Sequence, residues 1–338
     1  MQDTVLILGA RGRFGLAAAL AFADAGWRVL AQMRPGAQVP AAVQGDLRIQ
    51  WLDTDVQQPE ALVQAALARA PDVAVVVHGL SPLYTNAAWK QQALPMLDAA
   101  LALCRRLGAT LMLPGNVYNF GAGMPALLRE DTPQQAATIK GQIRIAMEAQ
   151  LQRSGVRSVV IRAGDFFGSG RGSWLDQAMV KDLPKGVLTY PGPLDVATAW
   201  AYLPDLGRCF VQVAQRRAQL PAFALLHFAG HSISARQWLA LLTPLARAQG
   251  WLAPDASLRY QRLPWTLIRW ASLLRPVWAS LVEMRYLWDT PHALDNSRLT
   301  ALLGAEPHTP LDQAAHASLT DLGLLPPPAL AAAQPGRA

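Results

Sequence analysis

The apolar stretch Val5-Leu6-Ile7-Leu8 runs straight into Gly9-Ala10-Arg11-Gly12-Arg13-Phe14-Gly15, then into the alanine-rich stretch Leu16 to Ala25, which Gly26 closes. This pattern reads as a strand, a tight turn and a helix N-terminus. Glycine at such a turn lets backbone N–H groups approach a diphosphate, and the dipole of the helix favours its negative charge. A ligand-free tight turn would explain the glycines, but not the strand, turn and helix standing complete and in order. The segment therefore predicts a dinucleotide site built from Gly9, Gly12, Phe14 and Gly15.

The second predicted strand, Trp27-Arg28-Val29-Leu30-Ala31-Gln32, ends where an acidic residue would bond a ribose 2′-hydroxyl. Gln32-Met33-Arg34 stands there instead, and Arg11 and Arg13 lie within the glycine loop. Guanidinium groups from Arg11, Arg13 and Arg34 converging on a 2′-phosphate would favour NADP(H) over NAD(H). Each arginine taken alone also reads as a solvated surface charge.

With 338 residues, 52% of them hydrophobic and 16% charged, the chain is long and apolar enough to bury a large core. A formal net charge of +7 suits an anionic ligand, but the arginines are scattered, which argues against a nucleic-acid surface. Cys104 and Cys209 fall in predicted buried helices without metal or redox spacing; they read as core thiols, and no metal site is expected. No charged and then apolar leader precedes the first strand, so the expected location is cytoplasmic.

Further βα units follow. Ile49–Leu52 and Val73–His78 read as strands, and Pro59 to Arg69 as a helix. A helix from Ala87 to Leu107 is expected to be interrupted at Pro95. Thr110–Pro114 and Ser158–Arg162 complete an α/β, Rossmann-type, doubly wound parallel sheet. The exit His78-Gly79-Leu80 should pass under the cofactor, with His78 either a proton carrier or a hydrogen-bonded structural histidine. Asn116 and Tyr118, after the fifth strand, would hold a substrate carbonyl, relay a proton or fix their own loop.

The spacing Gly9-x-x-Gly12-x-x-Gly15 resembles the short-chain dehydrogenase/reductase superfamily, above all its extended and atypical branches. The resemblance implies that Asp55 and Val56 meet the adenine amino group, although Asp53 and Asp55 read equally well as helix caps. Extended members place a serine four residues before the tyrosine of a Val-Tyr pair, where this chain has Pro114 before Tyr118. They also carry a Tyr-x-x-x-Lys pair on the next helix, where this chain has Lys140 and Arg144. Lys140-x-x-x-Arg144-x-x-x-Glu148 is similar to the isoflavone-reductase type, which implies Lys140 in place of the catalytic tyrosine and facing the nicotinamide. Steps of four put the three residues on one helix stripe, so Arg144 and Glu148 read as a helix-stabilising ion pair. An exposed helical lysine is the plainer alternative. The turn after Arg162 is similar to the superfamily's, which implies nicotinamide contacts from Ala163 and Gly164. Asp165 reads as a cap or a partner of Arg162, and Phe166 as a pocket wall. Tyr84, Phe166 and Trp174 are the expected substrate contacts.

Gly168–Ser173 reads as a flexible linker or lid. The expected division is a cofactor domain over 1–168 with a return at 195–230, a discontinuous and mostly helical substrate region over 169–325, and a low-complexity tail over 326–338. Between Leu258 and Trp288, Trp265, Trp270, Trp278 and Trp288 alternate with Arg262, Arg269, Arg275 and Arg285, with Pro276 dividing two short helices. This segment fits a substrate cap, an oligomer face such as a homodimer contact, or an interfacial helix, but no transmembrane segment. The functions open to such a chain are NADPH-dependent reduction of a small carbonyl or enone with Lys140 as proton donor, a nucleotide-sugar epimerase or dehydratase using Tyr118, or a non-catalytic NADP(H) sensor or partner-binding protein.

Overall fold

The computed structural model describes residues 2–326. Strands β1 (Thr4–Leu8), β2 (Arg28–Met33), β3 (Ile49–Asp53), β4 (Val75–His78) and β5 (Thr110–Gly115) come first, with helices α1 (Arg13–Asp24), α2 (Pro59–Leu67) and α3 (Asn86–Leu107) among them. There follow β6 (Leu127–Leu128), α4 (Ile139–Arg153), β7 (Ser158–Arg162), β8 (Asp165–Phe167), β9 (Val187–Tyr190), β10 (Thr198–Tyr202), α5 (Leu203–Gln215), β11 (Phe223–His227) and β12 (His231–Ile233). The remainder is α6 (Ala235–Ala248), β13 (Arg259–Arg262), α7 (Trp265–Ala271), α8 (Pro276–Glu283), α9 (Tyr286–Asp289), β14 (Ala293–Leu294), α10 (Ser297–Leu303) and α11 (Leu311–Asp321).

Seven strands form one parallel sheet in the order β3-β2-β1-β4-β5-β7-β11, the expected doubly wound α/β architecture. β1 and β4 are buried at every residue, as strands covered on both faces must be. One face carries Phe14, Phe22, Leu206 and Phe210 from α1 and α5. The other carries Leu62, Trp89, Leu97, Leu101 and Met147 from α2, α3 and α4. The strand order reverses between β1 and β4, and ligands of such sheets lie outside the carboxyl ends at that point. Leu8 pairs with His78 there, so Gly9 and Gly79 leave adjacent strands side by side.

Beyond β7, a separate aromatic cluster gathers Phe167, Tyr190, Trp200, Trp238 and Trp288. Phe167 and Trp238 meet edge to face at 5.8 Å, as do Trp200 and Trp238 at 5.6 Å.

Two expectations are corrected here. α3 runs unbroken through Pro95. Pro95 and Gln91 both lie on its exposed side, the side on which a carbonyl left unbonded by proline costs least, while Trp89, Ala93, Leu97 and Leu101 anchor the buried side. Residues 168–173 are a pinned turn rather than a flexible linker. Asp176 accepts from the Gly172 and Ser173 N–H groups at 2.9 and 2.6 Å, and Arg171 donates to the Leu322 carbonyl at 3.1 Å. The expected tail lies, apart from Pro326, outside the described residues.

Candidate functional site

In the turn between β1 and α1, Gly9 and Gly15 are positions that a larger residue fits only with strain, whereas Gly12 has an ordinary backbone conformation. Gly9 adopts φ +68°, the left-handed region that glycine occupies without strain. A Cβ on Gly15 would collide with the Gly9 carbonyl, and one on Gly79 would stand 2.6 Å from the Leu8 carbonyl oxygen. Leu80 closes over the same turn, with its Cδ2 3.1 Å from where a Gly9 Cβ would sit. Gly12 caps α1 without a side-chain hydrogen bond, and no acidic residue lies in the first turn. The N–H groups of Arg13, Phe14 and Gly15 therefore point out of the helix end as unpaired donors, an arrangement that receives an anion.

Gln32, buried at the end of β2, holds this turn in place. Its Oε1 accepts from the Gly9 N–H at 2.9 Å, and its Nε2 donates to the carbonyls of Met33 at 3.0 Å and Thr54 at 2.7 Å. The three arginines do not converge as expected. Arg11 and Arg34 are exposed, whereas Arg13 turns toward β8 and donates to the Gly168 carbonyl at 2.9 Å and the Phe166 carbonyl at 3.4 Å. Asp55 accepts from the Gln57 N–H at 2.9 Å in a turn ahead of α2, whose N-cap, Gln58, makes no side-chain cap hydrogen bond, so neither Asp53 nor Asp55 caps that helix; Val56 is buried in the core. His78 is buried with both ring nitrogens unpartnered; burial, with Arg144 nearby, pushes it down to about 4, so it is neutral at pH 7.

α4 begins at Thr138, whose hydroxyl accepts from the Gly141 N–H at 3.2 Å. A Cβ on Gly141 would stand 2.5 Å from the Tyr118 carbonyl oxygen, so this glycine lets the Tyr118–Phe120 turn lie directly on the helix. Asn116 fixes that turn by accepting from the Tyr118 N–H at 3.0 Å. Lys140, on the first turn of α4, is 0% exposed. Its Nζ donates to Asn86 Oδ1 at 2.5 Å and sits 4.5 Å over the Tyr84 ring, whose hydroxyl lies 3.4 Å from that of Tyr118. Burial lowers Lys140 to about 8, opposed by Glu283. Tyr118 is raised to about 12 and Tyr84 well above its usual value, in both cases chiefly by burial, so both phenols hold their protons at neutral pH.

The expected Arg144–Glu148 pair does not form. Glu148 reaches across to β7 and binds Arg162 in a buried fork, with Nε–Oε1 at 3.0 Å and Nη2–Oε2 at 2.6 Å. Arg162 continues to His227 Nε2 at 3.3 Å. A forked, fully buried guanidinium outcompetes a single contact along one helix. Arg144 instead donates to the Pro114 carbonyl at 3.4 Å and lies 5.2 Å over the Trp89 ring. With Arg162 occupied, Asp165 has no partner there, and burial alone raises it to about 7. Tyr84 and Tyr118 both sense its charge.

Phe166 lies 6.1 Å from Phe14, which puts one wall of the crevice against the first turn of α1. Ala163 is buried, and the space beside Gly164 is filled by the Ala199 carbonyl. Trp174 stacks edge-on against Trp288 at 5.2 Å and so belongs to the aromatic cluster, not to the Tyr84–Tyr118 contact. A hollow of about 690 Å³ lined by Val39, Leu47, Trp51 and Arg69 lies at the β3 edge of the sheet, away from this crevice.

No family model and no curated protein matches the sequence. Solved structures do match its fold. A putative epimerase from Burkholderia cenocepacia J2315 superposes with TM-score 0.71 at 19% identity, over 94% of this chain and 97% of that one. A UDP-glucose 4-epimerase from Brucella ovis in complex with NAD gives 0.72 at 15% identity, over 95% and 98%. An NAD-dependent NDP-hexosamine 5,6-dehydratase involved in tunicamycin biosynthesis gives 0.68 at 18%, over 95% and 97%. What these chains share is the Rossmann-like α/β fold.

Sequence reading missed Asn86, Ser280 and Glu283, which complete the surroundings of Lys140. Glu283 accepts from the Ile139 N–H at 2.8 Å and from Asn86 Nδ2 at 2.6 Å, and the Ser280 hydroxyl donates to Asn86 Oδ1 at 3.2 Å. Thr85, a threonine capping α3, was the available signal that Asn86 starts a helix at the carboxyl edge of the sheet. Among the described residues no helix is long and apolar enough to cross a membrane, and no group of three metal-ligating side chains assembles.

Proposed function

We propose that this chain binds NADP(H) at the glycine turn and reduces a small carbonyl or enone at the cluster of Lys140, Tyr84 and Tyr118. The turn suits the cofactor because its three glycines clear the approach and its helix end offers unpaired donors. The preference for the 2′-phosphate rests on Met33 at the end of β2 and on the free guanidinium groups of Arg11 and Arg34. Arg13 is dropped from that role.

The bound dinucleotide would supply the hydride. The chain's own part is the proton. Tyr84 and Tyr118 present protonated hydroxyls side by side, and Lys140 holds a positive charge against the π face of Tyr84, favouring the phenol oxygen that gives its proton away. Lys140 thus acts behind Tyr84, from a buried seat fixed by Asn86 and Glu283, rather than as an open proton donor. Asp165, whose charge acts on both Tyr84 and Tyr118, would be the group that restores the proton. The observation that carries this reading is the buried ammonium 4.5 Å over a tyrosine ring whose hydroxyl meets a second tyrosine.

The epimerase and dehydratase folds that superpose on the chain support a second reading, nucleotide-sugar epimerisation or dehydration through Tyr118. Following NADPH oxidation against aldehydes, ketones and enones separates the two, because epimerisation consumes no cofactor. Reduction predicts turnover that falls about 100-fold in Tyr118→Phe and in Lys140→Met. Unchanged turnover in both variants removes these residues from the chemistry. Tight NADPH binding with no turnover on carbonyls or nucleotide sugars would assign a sensor instead.

A further inference from the structure

Helices α7 and α8 and the turn between them form a hairpin with two unlike sides. Inward, Trp265 is buried and donates from Nε1 to the Pro191 carbonyl at 2.6 Å, and Ser280 is buried against Asn86. Outward, Leu267 is 67% exposed, Trp270 69%, Leu273 79% and Leu274 83%, with Val277 and Trp278 beside them. Leu273 and Leu274 stand at the tip, between the end of α7 and Pro276 at the start of α8. Single exposed apolar side chains need no explanation, but six large ones on one hairpin mark a contact surface.

Charge identifies what the surface meets. From Ala256 to Val282 the sequence has no aspartate or glutamate but has Arg259, Arg262, Arg269 and Arg275. Arg269 and Arg275 flank the apolar tip, are exposed, and make no ion pair among the described residues. A second copy docked hairpin to hairpin would bring the arginines of both copies into one contact to which neither hairpin tip brings a carboxylate. Leucines at a tip, tryptophans beside them and unpaired arginines at the flanks match the layers of an anionic bilayer: acyl chains, interface and headgroups.

We propose that the α7–α8 hairpin docks the protein on an anionic membrane surface, with Leu273 and Leu274 entering the acyl region and Arg269 and Arg275 meeting lipid phosphates. α8 is about 12 Å long, and its inner end carries Ser280 and Glu283 on the Lys140 cluster, so docking holds the candidate site beside the lipid surface.

The test is co-sedimentation of the full chain with vesicles of phosphatidylcholine alone and with about one third phosphatidylglycerol, at low and high salt. Binding is expected on the anionic vesicles only, weakened by salt and reduced about tenfold by Leu273→Asp with Leu274→Asp and by Arg269→Gln with Arg275→Gln. These positions are exposed, so circular dichroism and melting should match wild type. No binding to anionic vesicles, or equal binding by the leucine variant, overturns the proposal. So does light scattering that shows a dimer which the leucine variant dissociates, since a second copy would then cover the surface.

Discussion

Asp165 is the least paired carboxylate near the candidate site, and its removal gives the sharpest physical prediction. Its folded-state pKa of about 7 against an ordinary 3.8 means that the folded chain binds a proton the unfolded chain has released across that interval. Stability from this group is complete below pH 3.8 and is lost as pH rises toward about 7. Three units at about 1.4 kcal/mol each set a ceiling of about 4 kcal/mol on the cost at pH 8. Asp165 is partly exposed, so solvent recovers part of that, and Asp165→Asn should stabilise the protein by about 2 kcal/mol above pH 7. Urea unfolding of both proteins at pH 5 and pH 8 measures this as a gap that opens with pH. The NADPH-dependent rate of wild type should also fall above pH 7, a limb that the variant lacks. A variant no more stable than wild type at pH 8, with the same pH slope, refutes the reasoning.

Glu148→Gln strips the charge partner from a fully buried Arg162 and should cost about 3 kcal/mol in urea unfolding; a loss below about 1 kcal/mol would return Glu148 to the role of a surface residue. Gly15→Ala drives a methyl group into the Gly9 carbonyl and should abolish dinucleotide binding, read by calorimetry, with unchanged affinity as the contrary result. Arg34→Asp should reverse the ratio of NADPH to NADH affinity, since an acid at that position bonds a ribose hydroxyl and repels a phosphate; an unmoved ratio would take Arg34 out of the site.

The glycine turn and the parallel sheet were legible because both are local. A strand, its turn and its helix lie within the first 24 residues, and buried strands such as Val75–His78 announce themselves as apolar runs. The partners of side chains were not local. Lys140 meets Asn86 from 54 positions away, and Glu283 meets Ile139 from 144 away, distances over which no periodicity carries information. Glu148 was assigned to Arg144 because spacing along a helix sees only that helix, whereas the forked contact lies across the layer on β7. Arg13 shares the phosphate-binding turn in sequence, yet its long side chain reaches carbonyls at 166 and 168 instead. Pro95 misled for a similar reason, since its effect on a helix depends on which side faces water.

The central claim is that an uncapped helix end behind three glycines receives NADP(H). Calorimetric titration of the full chain with NADPH and with NADH tests it most directly. Micromolar binding of NADPH and at least about tenfold weaker binding of NADH is the predicted result. Absence of binding by either dinucleotide, or tighter binding of NADH, would contradict it.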